Sequence, residues 1–174
     1  MELSKFENSL VVFFFGVMKA DGKVNYFEFE DGIRAGYISV GSDEDPIFLV
    51  FSFPKHSEES YLMLSDGNPK ELVRQMAALQ EYNENEAHLC NGHTIPTDNE
   101  YLNNVGWYSY LITNPRFSYK DLPLVQEIDG RKVRFHLALP ITKEERDLKI
   151  KNGLEALIDE FGNKNRDTIT FDQR

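Results

Sequence analysis

The chain has 174 residues, of which 41% are hydrophobic and 13% aromatic, and its net charge is −10 from 29 acidic against 19 basic residues. That length and apolar content suit one domain whose core needs no metal or disulfide, and the single cysteine, Cys90, excludes an internal disulfide framework and suits a reducing compartment. The acidic balance argues against nucleic-acid binding, which needs clustered Lys and Arg to neutralise phosphates, and is compatible with a basic protein partner.

The run Leu10 to Met18 (LVVFFFGVM) falls far short of the ~20 apolar residues that a membrane helix requires. Glu2 and Glu7 stand where a secretion signal carries positive charge, and no small-residue cleavage site follows. The run therefore reads as a buried strand or helix, and the protein as cytoplasmic and not membrane-bound. Ala20-Asp21-Gly22-Lys23 reads as a hairpin turn, because glycine tolerates positive φ. Val24 to Glu30 then alternates, with Phe27 and Phe29 on one face and Glu28 and Glu30 on the other, which is the pattern of a half-exposed strand. A further strand spans Gly36 to Val40 and ends in a polar loop, Gly41 to Pro46. Ile47 to Phe53 (IFLVFSF) is apolar and β-prone throughout, as in a central strand covered on both faces, and Pro54 stops it.

The first clear helix begins at Asn68-Pro69-Lys70-Glu71, where Asn68 can cap, Pro69 lacks an amide that would go unused, and Glu71 completes a capping box. Leu72, Met76 and Leu79 follow at helical spacing. From Glu81 to Asn104 the chain is polar and turn-rich, a long surface loop holding short ordered pieces. Strand character returns at Val105 to Thr113, closed by Asn114-Pro115. A hairpin at Asp129-Gly130 leads into Val133 to Leu139, with Val133, Phe135, Leu137 and Leu139 on one face, Arg134 and His136 on the other, and Pro140 as its end. Thr142 and Glu145 form the capping box of a last helix with an apolar stripe of Ile150, Leu154, Leu157, Ile158 and Phe161, stopped by Gly162. The expected organisation is a domain over residues 1–162 and a poorly ordered polar tail over 163–174, in which Ile169-Thr170-Phe171 could dock as a short edge strand. Strands dominate and helices are inserted rather than alternating, so the fold class is α+β, a mixed or antiparallel sheet with packed helices in a single domain.

The densest set of metal-ligand types is His88, Cys90 and His93, with Asp98 nearby; three of these plus water would make an open zinc site. Their spacing matches neither paired C-x-x-C nor H-E-x-x-H, and the competing reading is a turn that Gly92 permits and in which His93 bonds to backbone. Nucleophile elbow, phosphate loop and dinucleotide glycine pattern are all missing. The reading is therefore of a protein without catalysis or cofactor. Trp107, Tyr108 and Tyr110 share one strand; Tyr108 and Tyr110 are candidates for a partner surface, against an arrangement in which Trp107 and Leu111 are core and the tyrosines cover a second layer. Asp43, Glu44 and Asp45, with Glu58 and Glu59, are placed in loops or helix ends, where they could steer a basic partner or simply be solvated.

Two segments carry a more specific signal. Cys90-Asn91-Gly92-His93-Thr94-Ile95-Pro96 resembles the G-H-T segment of the suppressor-of-fused domain family. Phe135 to Phe161 (FHLALPITKEERDLKIKNGLEALIDEF) resembles that family's closing pattern, through Pro140, Glu145, Lys149, Asn152-Gly153, Leu157 and Phe161. The resemblance covers about the C-terminal half. It implies an α+β fold that binds another protein without catalysing a reaction, and, by likeness to bacterial single-domain members, an immunity protein that neutralises a toxin. It transfers no catalytic residue; Gly92, His93, Pro140, Glu145 and Gly153 match the pattern as fold-determining positions. The alternative role is a regulator or scaffold that binds an endogenous protein by strand addition, and a third is a metal-dependent enzyme built on His88, Cys90 and His93.

Overall fold

The computed structural model describes residues 2–167. Its first apolar run is a helix, α1 (Lys5–Met18), because Ser4 and Glu7 close a reciprocal capping box: the Glu7 amide donates to Ser4 Oγ and the Ser4 amide to Glu7 Oε1. Phe6, Leu10, Val11 and Phe14 face inward at helical spacing, and the Phe14 ring lies 4.7 Å from that of Phe51 and 5.6 Å from that of Phe135. The Ala20–Lys23 segment consequently joins a helix to a strand and is not the hairpin turn its composition suggests.

Four strands follow as an antiparallel meander: β1 (Asn25–Glu28), β2 (Arg34–Ser39), β3 (Phe48–Ser52) and β4 (Glu59–Ser65). β4 escapes the sequence reading. All of its residues are buried, Glu59 included, so it lacks the polar–apolar alternation that marks a half-exposed strand. After it come α2 (Pro69–Asn85), β5 (Thr94–Pro96), α3 (Glu100–Asn104), β6 (Ser109–Thr113), β7 (Val125–Ile128) and β8 (Arg131–Ile141). The sheet runs β1-β2-β3-β4-β8-β6-β5, with β7 paired to the first part of β8. β4 and β8 are parallel, in register from Glu59↔Arg134 to Leu62↔Leu137, and the other pairings are antiparallel. This is the mixed sheet of an α+β domain.

Pro140 does not end its strand. β8 continues to Ile141, and Pro140 pairs with Tyr110 of β6; β4 accompanies β8 only as far as Leu137, so the ring lies where one side of the strand carries no ladder. Along β8, Phe135, Leu137 and Leu139 face α1 and the C-terminal helices, whereas His136 and Ala138 face α2. The expected last helix is two, α4 (Lys143–Asn152) and α5 (Leu154–Lys164). Gly153 separates them with φ +95° and ψ 169°, a conformation reserved for glycine. The Thr142–Glu145 capping box forms as expected, while Gly162 lies inside α5 and Asn165 provides the left-handed cap. At the start of α2, Asn68 makes no side-chain cap; its Nδ2 donates to Tyr101 Oη at 2.7 Å, and Glu71 accepts from Asn99 instead.

Two polar devices fasten the helices. Glu84 of α2 accepts from the amides of Lys55, His56 and Ser57 and from the Ser57 and Gln80 side chains, pinning the β3–β4 connection. Burial pushes its carboxyl up, yet these donors together hold it below the ordinary value. At the other end, Arg166 forms a half-buried ion pair with Glu145 at 3.0 Å, donates to the Pro140 carbonyl, and stacks over Trp107 at 4.8 Å. Residues just past the expected domain end at 162 are thus held in place, and residues 168–174, with Ile169 to Phe171, lie outside the described residues. Arg166→Ala leaves the Glu145 carboxylate without its partner and removes the stacking cation, so it should destabilise the fold by about 3 kcal/mol, read as a lowered urea midpoint with unchanged slope.

Candidate functional site

A groove of about 620 Å³ wraps the sheet edge at β5, between the C-terminal end of α2 and α4. Its floor is the segment 87–96, and its α4 wall carries Arg146, Lys149 and Ile150. Local chemistry explains why the chain turns there. Gly92 has φ +92°, and its amide donates to the Ile112 carbonyl at 2.7 Å, which starts the β5–β6 ladder. A Cβ on Gly92 would meet Leu154 Cδ2 at 3.5 Å, ordinary contact, so the dihedral and not the space requires glycine. The two segments singled out in the sequence therefore meet: Gly92 of the first lies against Leu154 of the second, and their exposed sides are the floor and wall of one groove.

The cluster His88, Cys90 and His93 divides. His88 Nε2 lies 3.4 Å from Glu59, whereas His93 Nδ1 accepts from the Cys90 amide at 3.2 Å and its Nε2 lies 3.6 Å from Cys90 Sγ. Among the described residues no group of three His, Cys, Asp or Glu side chains is placed to hold a metal ion. The arrangement is the backbone-bonded turn of the competing reading.

Beneath the loop lies a polar layer on β4 and β8. Tyr61 donates to the Leu89 carbonyl at 2.8 Å and stacks on His136 at 5.4 Å between centroids. Burial pushes the Tyr61 hydroxyl far above its ordinary range, with Glu59 and other acidic groups adding to the rise. His136 is only 4% exposed, and its Nε2 has no hydrogen-bond partner in the protein. Burial lowers its pKa to about 4 despite the opposing field of Glu59, helped by Arg134 and His88.

The other sequence candidates are scattered. Asp43, Glu44 and Asp45 are exposed in the β2–β3 turn, and Glu58 is exposed in the β3–β4 connection, 3.9 Å from Lys132. These turns lie at opposite ends of the strands, so they do not form one patch. Glu59 is buried against His88 and Asn83, and Tyr110 is buried with its hydroxyl 2.6 Å from Gln75; both are interior groups, not surface ones. Tyr108 is exposed at the end of the α4 wall, beneath Arg146 at 4.8 Å. The His136 ring and the Arg146–Lys149 wall are the features that the sequence alone leaves unmarked. The alternation of β8 places His136 on the α2 side, but nothing local announces that the loop will cover it.

The model of the suppressor of fused protein family matches residues 47–174. No curated protein matches the chain. Among solved structures, a suppressor of fused homologue from Neisseria gonorrhoeae is similar at a TM-score of 0.75 and 17% identity, over 97% of this chain and 94% of that one. A chain of the Sufu–Fu complex is similar at 0.66 and 9% identity, over 96% and 90%. Drosophila Suppressor of Fused is similar at 0.65 and 11% identity, over 96% of this chain but 50% of that one, so this chain spans half the length of the fly protein.

Stability should respond to the buried imidazole. Its pKa is lower folded than unfolded, so between pH 6.5 and about 4 the unfolded chain binds a proton that the native state refuses, and stability falls with falling pH across that window. His136→Phe, which keeps the stacking on Tyr61, should remove about 2 to 3 kcal/mol of the difference in unfolding free energy between pH 7 and pH 4.5. An unchanged difference in urea titrations at the two pH values would contradict the assignment.

Proposed function

Because the chain belongs to the suppressor of fused family, we propose that it is a protein-binding module without catalytic chemistry or cofactor, and that it acts in the cytoplasm as an immunity protein, neutralising a toxin by occluding its working surface. The observation that carries this reading is the groove at β5, where the two family-like segments build a concave surface with basic and apolar walls. Grooves of this kind take a protruding segment, and large side chains such as Tyr82 and Ile150 at the lip supply area to bury. A chain of similar fold occurs in the Sufu–Fu complex, an assembly of proteins.

The net charge of −10 and the exposed Asp43, Glu44, Asp45 and Glu58 fit approach by a basic partner, whose orientation they would bias before contact. A second reading, regulation of an endogenous protein, has its own observation. β1 closes one end of the sheet, so its outer backbone edge carries no strand among the described residues, and its Phe27 is exposed; a partner strand could extend the ladder there.

Co-expression with the product of the neighbouring gene separates these roles. An immunity protein should co-purify with that product and relieve the growth arrest it causes, with an association rate that drops as salt screens the long-range attraction. A neighbour that neither binds nor harms the cell would sink the immunity role. A Phe27→Asp change that abolishes binding would favour strand addition at β1.

A further inference from the structure

We propose that the groove at β5 seats an extended peptide segment of the partner in which a carboxylate side chain stands next to a large aliphatic or aromatic one, the carboxylate against Lys149 and Arg146 and the apolar residue along α2. This rests on the protein-binding reading and names the chemistry of what is bound.

The charge of the groove opposes that of the molecule. The chain carries 29 acidic residues, yet none of the side chains lining this concavity is acidic, and four are Arg, Lys or His. Lys149 is half-buried and has no ion-pair partner among the described residues. Arg146 is turned along the same wall, held by Asp147 at 3.0 Å and by the Tyr108 ring. A half-buried ammonium without a counterion is weakly screened and gains most from an incoming carboxylate.

Two hydroxyls in the same lining, Ser109 Oγ and Thr94 Oγ1, are buried without any hydrogen-bond partner in the protein, and Ser109 as a whole is fully buried. Such groups cost stability in the free protein and are commonly kept for a partner. The apolar half is equally well marked. Ile150 is 74% exposed on the α4 wall, and a second concavity of about 380 Å³ continues past Tyr82 and Pro96, lined by Ala78, Leu79 and Ile95. A bound segment thus meets cations at one end and apolar surface at the other. Attraction of a basic partner at long range is compatible with this, because contact within ~8 Å is decided by local charge and not by the net value.

Random-peptide display on the immobilised full-length protein, followed by anisotropy titration of the enriched peptides, tests the assignment. Enriched sequences should place Asp or Glu beside Leu, Ile, Phe or Tyr. Lys149→Glu should weaken them about tenfold or more, and Ile150→Ser should weaken them too, with the thermal midpoint of both variants unchanged. Ser109→Ala should raise the thermal midpoint while lowering affinity. Enriched peptides that are basic or neutral, that require phosphorylation, or that bind Lys149→Glu as tightly as the parent would overturn the assignment, as would no enrichment at all. A partner from the co-expression assay that still binds Lys149→Glu at full affinity would leave the protein-binding reading standing and remove this groove chemistry alone.

Discussion

The fold depends on one pairing, the parallel ladder between β4 and β8. β4 ends an antiparallel meander, and β8 gathers β6 and β7 along its other edge, so the Glu59↔Arg134 to Leu62↔Leu137 register is the seam between the two halves of the sheet. Parallel neighbours need a long crossover, and here that crossover contains α2, β5, α3, β6 and β7. The edge strand, the groove and the loop over His136 all exist because the chain must travel from the end of β4 back to the start of β8. Both seam strands are buried on both faces, which is the usual condition of parallel pairs and the reason their polar residues, Glu59, Tyr61 and His136, need partners or neutrality.

Elements with local grammar were legible in the sequence. Ile47 to Phe53, the Asp129-Gly130 hairpin and the Thr142–Glu145 cap each declare themselves in a few residues, and the structure places β3, the β7–β8 turn and α4 there. What failed were positions where tertiary context decides. β4 has no alternation because both faces are covered. Pro140 stays in its strand because the neighbouring ladder stops short of it. The long C-terminal stripe is interrupted by a single glycine dihedral. The polar residues after 162 looked like a tail because Arg166 has no apolar signal, although its guanidinium finds Glu145, Pro140 and Trp107.

The site was legible in a different sense. The G-H-T segment and the closing helix were each recognisable, but their adjacency was not, since Gly92 and Leu154 are brought together only by the β5–β6–β8 ladders. The histidine–cysteine cluster shows the converse. Proximity in sequence suggested convergence, yet Gly92 turns the chain so that His88 addresses Glu59 and His93 addresses the Cys90 amide. Candidate acids sorted by the same logic: those in true turns stayed at the surface, while Glu59 was drawn inside by the strand it begins.

The break at Gly153 leaves α4 as a short helix with no fully buried residue, fastened mainly by its N-terminal cap, the half-buried Leu148 and the Arg166–Glu145 pair. A segment with so little covered surface opens at lower free energy than the strands beside it. The groove therefore has one stiff jaw, built on the sheet and α2, and one compliant jaw that carries its cations. A binding surface so divided can change its gape without disturbing the core. Substitutions on α4 then become a cheap route by which related chains diverge in whom they recognise.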